Sequence, residues 1–109
     1  MPTVNIYFRK VENQKRLQGL TPDLKKYLAE ELTCGDITLS PSEISIRFLN
    51  IAGGEMSADI ELEITAHAFH ERIGKQDEIC LRVMDYIKRE SGIENVRVWL
   101  KLSNLGHSW

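Results

Sequence analysis

The second residue of the chain is a proline, and it opens a strand-like run, Pro2–Phe8 (PTVNIYF). Methionine aminopeptidase normally removes a methionine that precedes a small residue, so trimming of Met1 would leave a secondary amine at a strand terminus. An ordinary α-amino group titrates near pH ~7.7–8.0, and burial or cations such as Arg9 and Lys10 disfavour its charged form. Such an amine suits proton abstraction from carbon next to a carbonyl. Pro2 is therefore a candidate general base; the alternative is an inert strand start, where a missing ladder donor costs nothing.

Composition narrows the classes of function. A chain of 109 residues is long enough to bury roughly two thirds of its unfolded surface in one domain. We expect a single domain over residues 1–109, with two pseudo-repeat halves at about 2–52 and 55–109. A net charge of −2 lacks the excess of basic residues that is typical of domains that bind nucleic acid. No apolar run approaches the ~20 residues that cross a bilayer, and no signal-peptide pattern precedes Pro2. A cytoplasmic protein without a nucleic-acid or membrane partner is expected.

No cofactor or metal is indicated by the motifs. Cys34 and Cys80 lie far apart and outside any C-x-x-C motif, so buried thiols are expected. His67 and His70 form H-x-x-H, but no acid or cysteine accompanies them at the spacing of a zinc motif. Gly53-Gly54 lacks the pattern of a phosphate-binding loop.

Hydrophobic periodicity predicts a doubled β-α-β order. Apolar and polar residues alternate in four segments, which predicts strands at 2–9, 43–49, 58–65 and 96–102. A first helix is expected to start at Thr21 as N-cap with Pro22 in its first turn, and to end at Gly35. A second helix is expected over about 75–90 with Gly92 as its cap. The predicted apolar stripe of that helix is Ile73, Cys80, Val83, Met84 and Ile87.

This order predicts an α+β fold, a two-layer sandwich in which two helices cover one face of a four-stranded sheet. The uncovered face would carry charges of both signs and aromatic residues: Tyr7, Arg9, Ser45, Arg47, Glu61, Glu63, Arg97, Trp99 and Lys101. A solvated face explains the charges, whereas Trp99 among them suggests burial against a partner. We expect an oligomer that pairs acids of the third strand with bases of the second and fourth strands.

The chain resembles the tautomerase superfamily, which includes macrophage migration inhibitory factor, 5-carboxymethyl-2-hydroxymuconate isomerase and 4-oxalocrotonate tautomerase. The resemblance is carried by Pro2, by the doubled β-α-β order, by strand four, Val96–Trp99, and by the tail, Ser103–Trp109. It implies a homotrimer whose sheets face inward and whose active sites lie between subunits. It also implies a small-molecule carboxylate substrate and no cofactor.

The resemblance assigns roles residue by residue. Pro2 matches the catalytic base, and Arg9 resembles the arginine that binds substrate carboxylates in some bacterial members. Arg97 and Trp99 occupy positions that line the pocket of the adjacent subunit in the cytokine-like members. Ala66, expected just past strand three, resembles the position whose backbone N–H helps to hold the substrate. The pocket lysine, tyrosine and asparagine of the cytokine-like members have no counterpart, which favours an acidic substrate.

The expected function is cofactor-free tautomerisation or isomerisation of a small keto or enol acid. Neutral Pro2 would move a proton, a cation at Arg9 or a neighbour's Arg97 would stabilise the enolate, and Tyr7 with a neighbour's Trp99 would exclude water. Dehalogenase or hydratase chemistry stays open. A second hypothesis is a non-catalytic ferredoxin-like binding or regulatory module, which pairs its strands antiparallel. Retention of Met1 would favour that module, because the Pro2 nitrogen would then be an amide.

Overall fold

The computed structural model describes residues 2–33, 35 and 38–104, in which two β-α-β units form one sheet in the order β2-β1-β3-β4. The strands of these residues are β1 (Thr3–Phe8), β2 (Ser45–Asn50), β3 (Ile60–His67) and β4 (Val96–Ser103). The helices are α1 (Val11–Gly19), α2 (Thr21–Leu32), α3 (His70–Gly74) and α4 (Gln76–Ser91). A short 3₁₀ turn, Pro41–Glu43, precedes β2. Met1, Cys34 and the tail residues Leu105–Trp109, on which part of the sequence interpretation falls, lie outside the described residues.

Strand pairing decides between the two predicted topologies. β1 pairs with β2 and β3 pairs with β4 in parallel, while β1 and β3 pair antiparallel at the centre of the sheet. Parallel neighbours need a crossover connection, which α1 with α2 and α3 with α4 provide. The predicted two-layer α+β fold is confirmed. The ferredoxin-like alternative is wrong, because it requires antiparallel pairs where this sheet has parallel ones.

The hydrophobic core lies between the sheet and the helices. Val4, Ile6 and Phe8 of β1 are buried while their neighbours in sequence are half-buried, and β3 shows the same alternation. The buried positions of the two long helices complete the core: Leu24, Leu28, Ala29, Leu32, Ile79, Val83, Tyr86 and Ile87. A slip of one residue in β1 would expose its three core side chains, so burial fixes which residues reach the other face.

Helix α1 was not predicted, because its nine residues carry little apolar signal. Only Leu17 among them is buried. Helix α2 follows almost directly, with Leu20 as its N-cap in a helical conformation. The prediction of Thr21 as N-cap was therefore wrong: its hydroxyl instead donates to the Leu17 carbonyl at 3.3 Å.

The predicted helix ends also need two corrections. Helix α2 ends at Leu32 with Thr33 in an extended conformation, so Gly35 lies beyond the end rather than at it. Ile73 does not belong to the apolar stripe of α4; it lies in α3 and is 52% exposed. In the described part of the chain, no helix is long and apolar enough to cross a membrane.

Gly92 was predicted as the C-terminal cap of α4, and it occupies that position. Replacing it therefore tests how much this cap contributes to stability. Its φ is 75°, in the left-handed region, and its N–H donates to the Lys88 carbonyl at 2.9 Å. A Cβ in this conformation meets the neighbouring carbonyl, so Gly92→Ala should lower the free energy of unfolding by about 1 kcal/mol. Urea denaturation measures the change. The control is Gly53→Ala, where an added Cβ has as much room as at Gly92 but φ is not in the left-handed region; equal losses in the two variants would contradict the assignment.

Candidate active site

Pro2 lies buried at the start of β1, where three strands meet. The Ser45 N–H donates to the Pro2 carbonyl at 3.2 Å, which ties this residue to the start of β2. On the other side Thr3 pairs with Thr65, and continuing this antiparallel register by one residue places Ala66 opposite Pro2. The structure therefore brings Pro2 and Ala66 together. Ala66 lies inside β3, not past its end as predicted, because β3 extends to His67.

The backbone that faces the space before the Pro2 nitrogen belongs to His67. Along a strand the peptide groups point alternately to the two neighbouring strands. The Ala68 N–H donates to the Ser103 carbonyl of β4 at 2.9 Å, so Ala66, two residues earlier, also directs its backbone groups to β4. His67 directs its own groups to the β1 side. The Ala66 N–H is therefore directed at β4, and its expected role in holding the substrate stays a prediction.

Arg72 holds the His67 carbonyl, and sequence reasoning missed it. Its Nη1 donates to that carbonyl at 3.0 Å, and its Nε and Nη2 donate to the Leu32 carbonyl at 2.9 and 2.7 Å. The side chain is only 3% exposed, and its guanidinium lies 4.8 Å from the centre of the Phe69 ring. Helix α2 has no basic residue in its last turn, so Arg72 supplies the cation that a helix C-terminus favours. An arginine between Glu71 and Ile73 gives no sequence signal of such burial.

Two residues expected beside Pro2 lie far from it in the same chain. Arg9 follows the end of β1, seven residues along from Pro2, which is a span of about 23 Å in an extended chain. Tyr7 lies five residues along, or about 17 Å, and its hydroxyl donates to Glu63 at 3.1 Å. Within one chain, neither side chain therefore lies beside Pro2, and the expected contacts of Arg9 and Tyr7 with a Pro2-bound substrate stay a prediction.

Arg97 and Trp99 line a cleft of about 380 Å³ between α4 and β4. The remaining lining residues are Met84, Lys88, Asn95, Val96 and Val98. Lys88 adds a second cation, which the sequence analysis did not assign to a site. No acidic residue lines this cleft, whereas acidic residues line two other clefts of the described chain, at Glu71 and at Asp59. Two cations over an apolar floor suit an anion with an apolar body.

The cleft and Pro2 lie at different ends of the sheet. Arg97 pairs in register with Glu61, and Glu61 with Tyr7, so Arg97 lies two strands across and five residues along from Pro2. That separation is about 19 Å. One chain therefore does not bring Pro2 together with Arg97 and Trp99, and none of the three clefts described above is lined by Pro2.

Comparisons with known proteins identify the fold. No protein-family model matches the sequence, and no curated protein matches it. A macrophage migration inhibitory factor-like protein from Entamoeba histolytica superposes with a TM-score of 0.56 at 16% identity, over 99% of this chain and 92% of that one. A fused 4-OT protein, in a wild-type symmetric trimer, gives 0.63 at 10% identity over 97% and 91%. A member of the cis-3-chloroacrylic acid dehalogenase family gives 0.58 at 9% identity over 97% and 80%. The chain has the tautomerase-superfamily fold.

In this tautomerase-fold domain, the sheet face away from the helices carries an unusual set of side chains, which we call the open face. Its residues are Thr3, Asn5, Tyr7, Ser45, Arg47, Leu49, Glu61, Glu63, Thr65, Arg97, Trp99 and Lys101. Trp99 is 50% exposed. Among the described residues, the open-face acids and bases form no ion pair with one another. The pairing of these charges with those of a second copy, which the sequence analysis expected, stays a prediction. Arg9, which was expected here, lies beyond β1 and is not part of the face.

At the centre of the open face, Glu63 collects two hydrogen bonds on one carboxylate oxygen. Asn5 Nδ2 and the Tyr7 hydroxyl donate to its Oε1 at 3.0 and 3.1 Å. The bond from Asn5 is the main reason that the pKa of Glu63 is lowered, and the nearby charge of Lys101 acts in the same direction. Burial, followed by the bond to Glu63, raises the pKa of Tyr7. These side chains are therefore held in place before any partner arrives.

Across residues 2–33, 35 and 38–104, no group of three or more His, Cys, Asp or Glu side chains is arranged to hold a metal ion.

The Glu63 cluster predicts a specific dependence of stability on pH. Because the pKa of Glu63 is lowered on folding, its contribution is fully present above the ordinary value of 4.5 and is lost as pH falls through the folded value. The advantage in Tm of the wild type over Glu63→Gln should therefore shrink as pH falls from about 7 to about 3, measured by circular dichroism. The control is Glu55→Gln in an exposed loop. Parallel Tm profiles for the wild type and Glu63→Gln would contradict the role of the carboxylate.

Proposed function

We propose that the protein is a cofactor-free tautomerase or isomerase of small keto or enol acids, with Pro2, freed by removal of Met1, as general base. The observation that carries this proposal is the position of Pro2: it is buried at a strand end in a tautomerase fold, and the strand register brings it next to the end of β3. Burial favours the neutral form of an amine. A neutral amine can accept a proton from carbon near physiological pH.

The catalytic groups come from two copies of the chain in this proposal. Pro2 of one copy meets the cleft of a neighbour, where Arg97 and Lys88 bind the carboxylate and Trp99 packs against the apolar part of the substrate. The trimeric state of the fused 4-OT protein supports a homotrimer, as do the unpaired charges and half-exposed Trp99 of the open face. Assembly would also exclude water from the amine.

The reaction needs only proton movement. The lone pair of the Pro2 nitrogen takes a proton from carbon next to the substrate carbonyl, and the C–H electrons move to the carbonyl oxygen as an enolate. A fixed guanidinium at Arg97 stabilises that charge more than it stabilises the neutral ground state. The prolinium then returns its proton to a different atom of the substrate, which gives the isomer and regenerates the neutral base.

Assembly is the first test of this proposal. We expect a homotrimer at micromolar concentration in analytical ultracentrifugation. Charge reversal at Arg47 or Glu61 should weaken it, because each would place like charges against the partner's surface. The control is Lys26→Glu, an exposed reversal on α2 in the helix layer, which should leave the trimer intact. A monomeric wild type, or equal weakening by all three reversals, would contradict the assembly.

The base is tested by comparing the trimmed protein with a form that keeps Met1. The trimmed form should ketonise a 2-hydroxydienoate or enolise phenylpyruvate, with a rate that rises as the amine deprotonates. The extended form should be inactive, because its Pro2 nitrogen is an amide with a delocalised lone pair. Pro2→Ala retains a primary amine and should keep partial activity. Equal initial rates in the trimmed and extended forms would rule out the base, and chloride release from a chloroacrylate would assign dehalogenase chemistry instead.

A further inference from the structure

Arg72 is the buried charged side chain that the proposed reaction does not use. Among the described residues, Arg72 is the one polar or charged residue that is buried. A guanidinium removed from water needs close compensation, and Arg72 finds it in two backbone carbonyls from distant parts of the chain. The place of these two carbonyls in the fold therefore indicates why Arg72 is buried.

The contacts of Arg72 converge on the corner that holds Pro2. The Leu32 carbonyl ends α2, and the His67 carbonyl ends β3 beside the space before the Pro2 nitrogen. Each of the two carbonyls is an acceptor that would otherwise need another donor. One planar guanidinium bonds both, with a fork to Leu32 and a single bond to His67, which a flexible ammonium cannot reproduce.

We propose that Arg72 is a positioning residue for Pro2. The Arg72 guanidinium occupies the His67 carbonyl and fixes it against the end of α2, so that a protonated Pro2 amine gains no acceptor there. Two physical effects act in the same direction. An ammonium form that finds an acceptor is stabilised, and a cation nearby destabilises it. Removing Arg72 would release the carbonyl and remove the cation, so the amine should hold its proton more tightly. The inference rests on the proposed function in one respect only, namely that the neutral Pro2 amine serves as the general base.

Other charged and titratable groups surround the same corner and must be held constant in a test. The charged side chains that line the cleft beside Arg72 are Glu30, Glu31, Glu71, Lys75 and Arg82, and His67 is the residue whose carbonyl Arg72 bonds. Arg82 is a matched control, because it lines the same cleft and carries the same charge. Its bonds go instead to Glu31 at 2.8 Å and Glu78 at 3.4 Å on the helix surface.

The test measures the amine directly, without relying on activity. The chain contains three prolines, and in trimmed protein labelled with ¹⁵N-proline only the Pro2 nitrogen titrates. Arg72→Gln should raise its titration midpoint by roughly one pH unit, while Arg82→Gln should leave it unchanged. Arg72→Lys keeps the charge but loses the fork, so its midpoint should rise by less. If Arg72→Gln does not fold, as judged by circular dichroism, Arg72→Lys takes its place.

The outcomes separate this inference from the proposed function. An unchanged midpoint in the folded Arg72 variants, or an equal rise in Arg82→Gln, would overturn the inference whatever the activity of the protein. A raised midpoint in the Arg72 variants alone would support it, even if the trimmed wild type failed to turn over any keto acid. In that second case the proposed reaction would fail while the positioning role stood.

Discussion

The burial of one face of β1 is the constraint on which the rest of the structure depends. Val4, Ile6 and Phe8 pack into the core between sheet and helices, and the period of two along a strand sends Asn5 and Tyr7 to the open face. A one-residue slip would move all of these side chains to the wrong side. The same register continues back to Pro2, which places this residue opposite Ala66 and beside the end of β3. Core packing thus sets the location of the candidate base.

The structure divides the candidate chemistry between two ends of the molecule. At one end lie Pro2, the His67 backbone and the buried Arg72; at the other lies the acid-free cleft with Arg97 and Trp99. A separation of about 19 Å is too great for one small substrate to bridge. The division has a natural explanation if copies of the chain assemble through the open face, because the base of one copy can then meet the cations of another.

The sequence predicted the fold well because the fold rests on strong periodic signals. Alternating strands and the glycine cap at Gly92 are local features, whereas the β-α-β order left two sheet topologies open until the parallel pairs β1–β2 and β3–β4 were seen. Helix α1 escaped prediction because only Leu17 among its residues is buried. The site was harder: Pro2 and Arg97 stood out by type and position, whereas Arg72 depends on a contact with Leu32, forty residues away in sequence. Such a tertiary contact leaves no trace in spacing or composition.

The central claim, that one active site is shared between two copies, is tested most directly by mixing two defective proteins. One carries Met1 and lacks a free Pro2 amine; the other is trimmed but carries Arg97→Ala. After co-refolding in equal amounts, a site that takes its base from one copy and its cation from the neighbour is intact in about one quarter of cases. We therefore predict that the mixture recovers about one quarter of the wild-type kcat/KM with an acidic substrate. A mixture no more active than its two components would contradict a shared site.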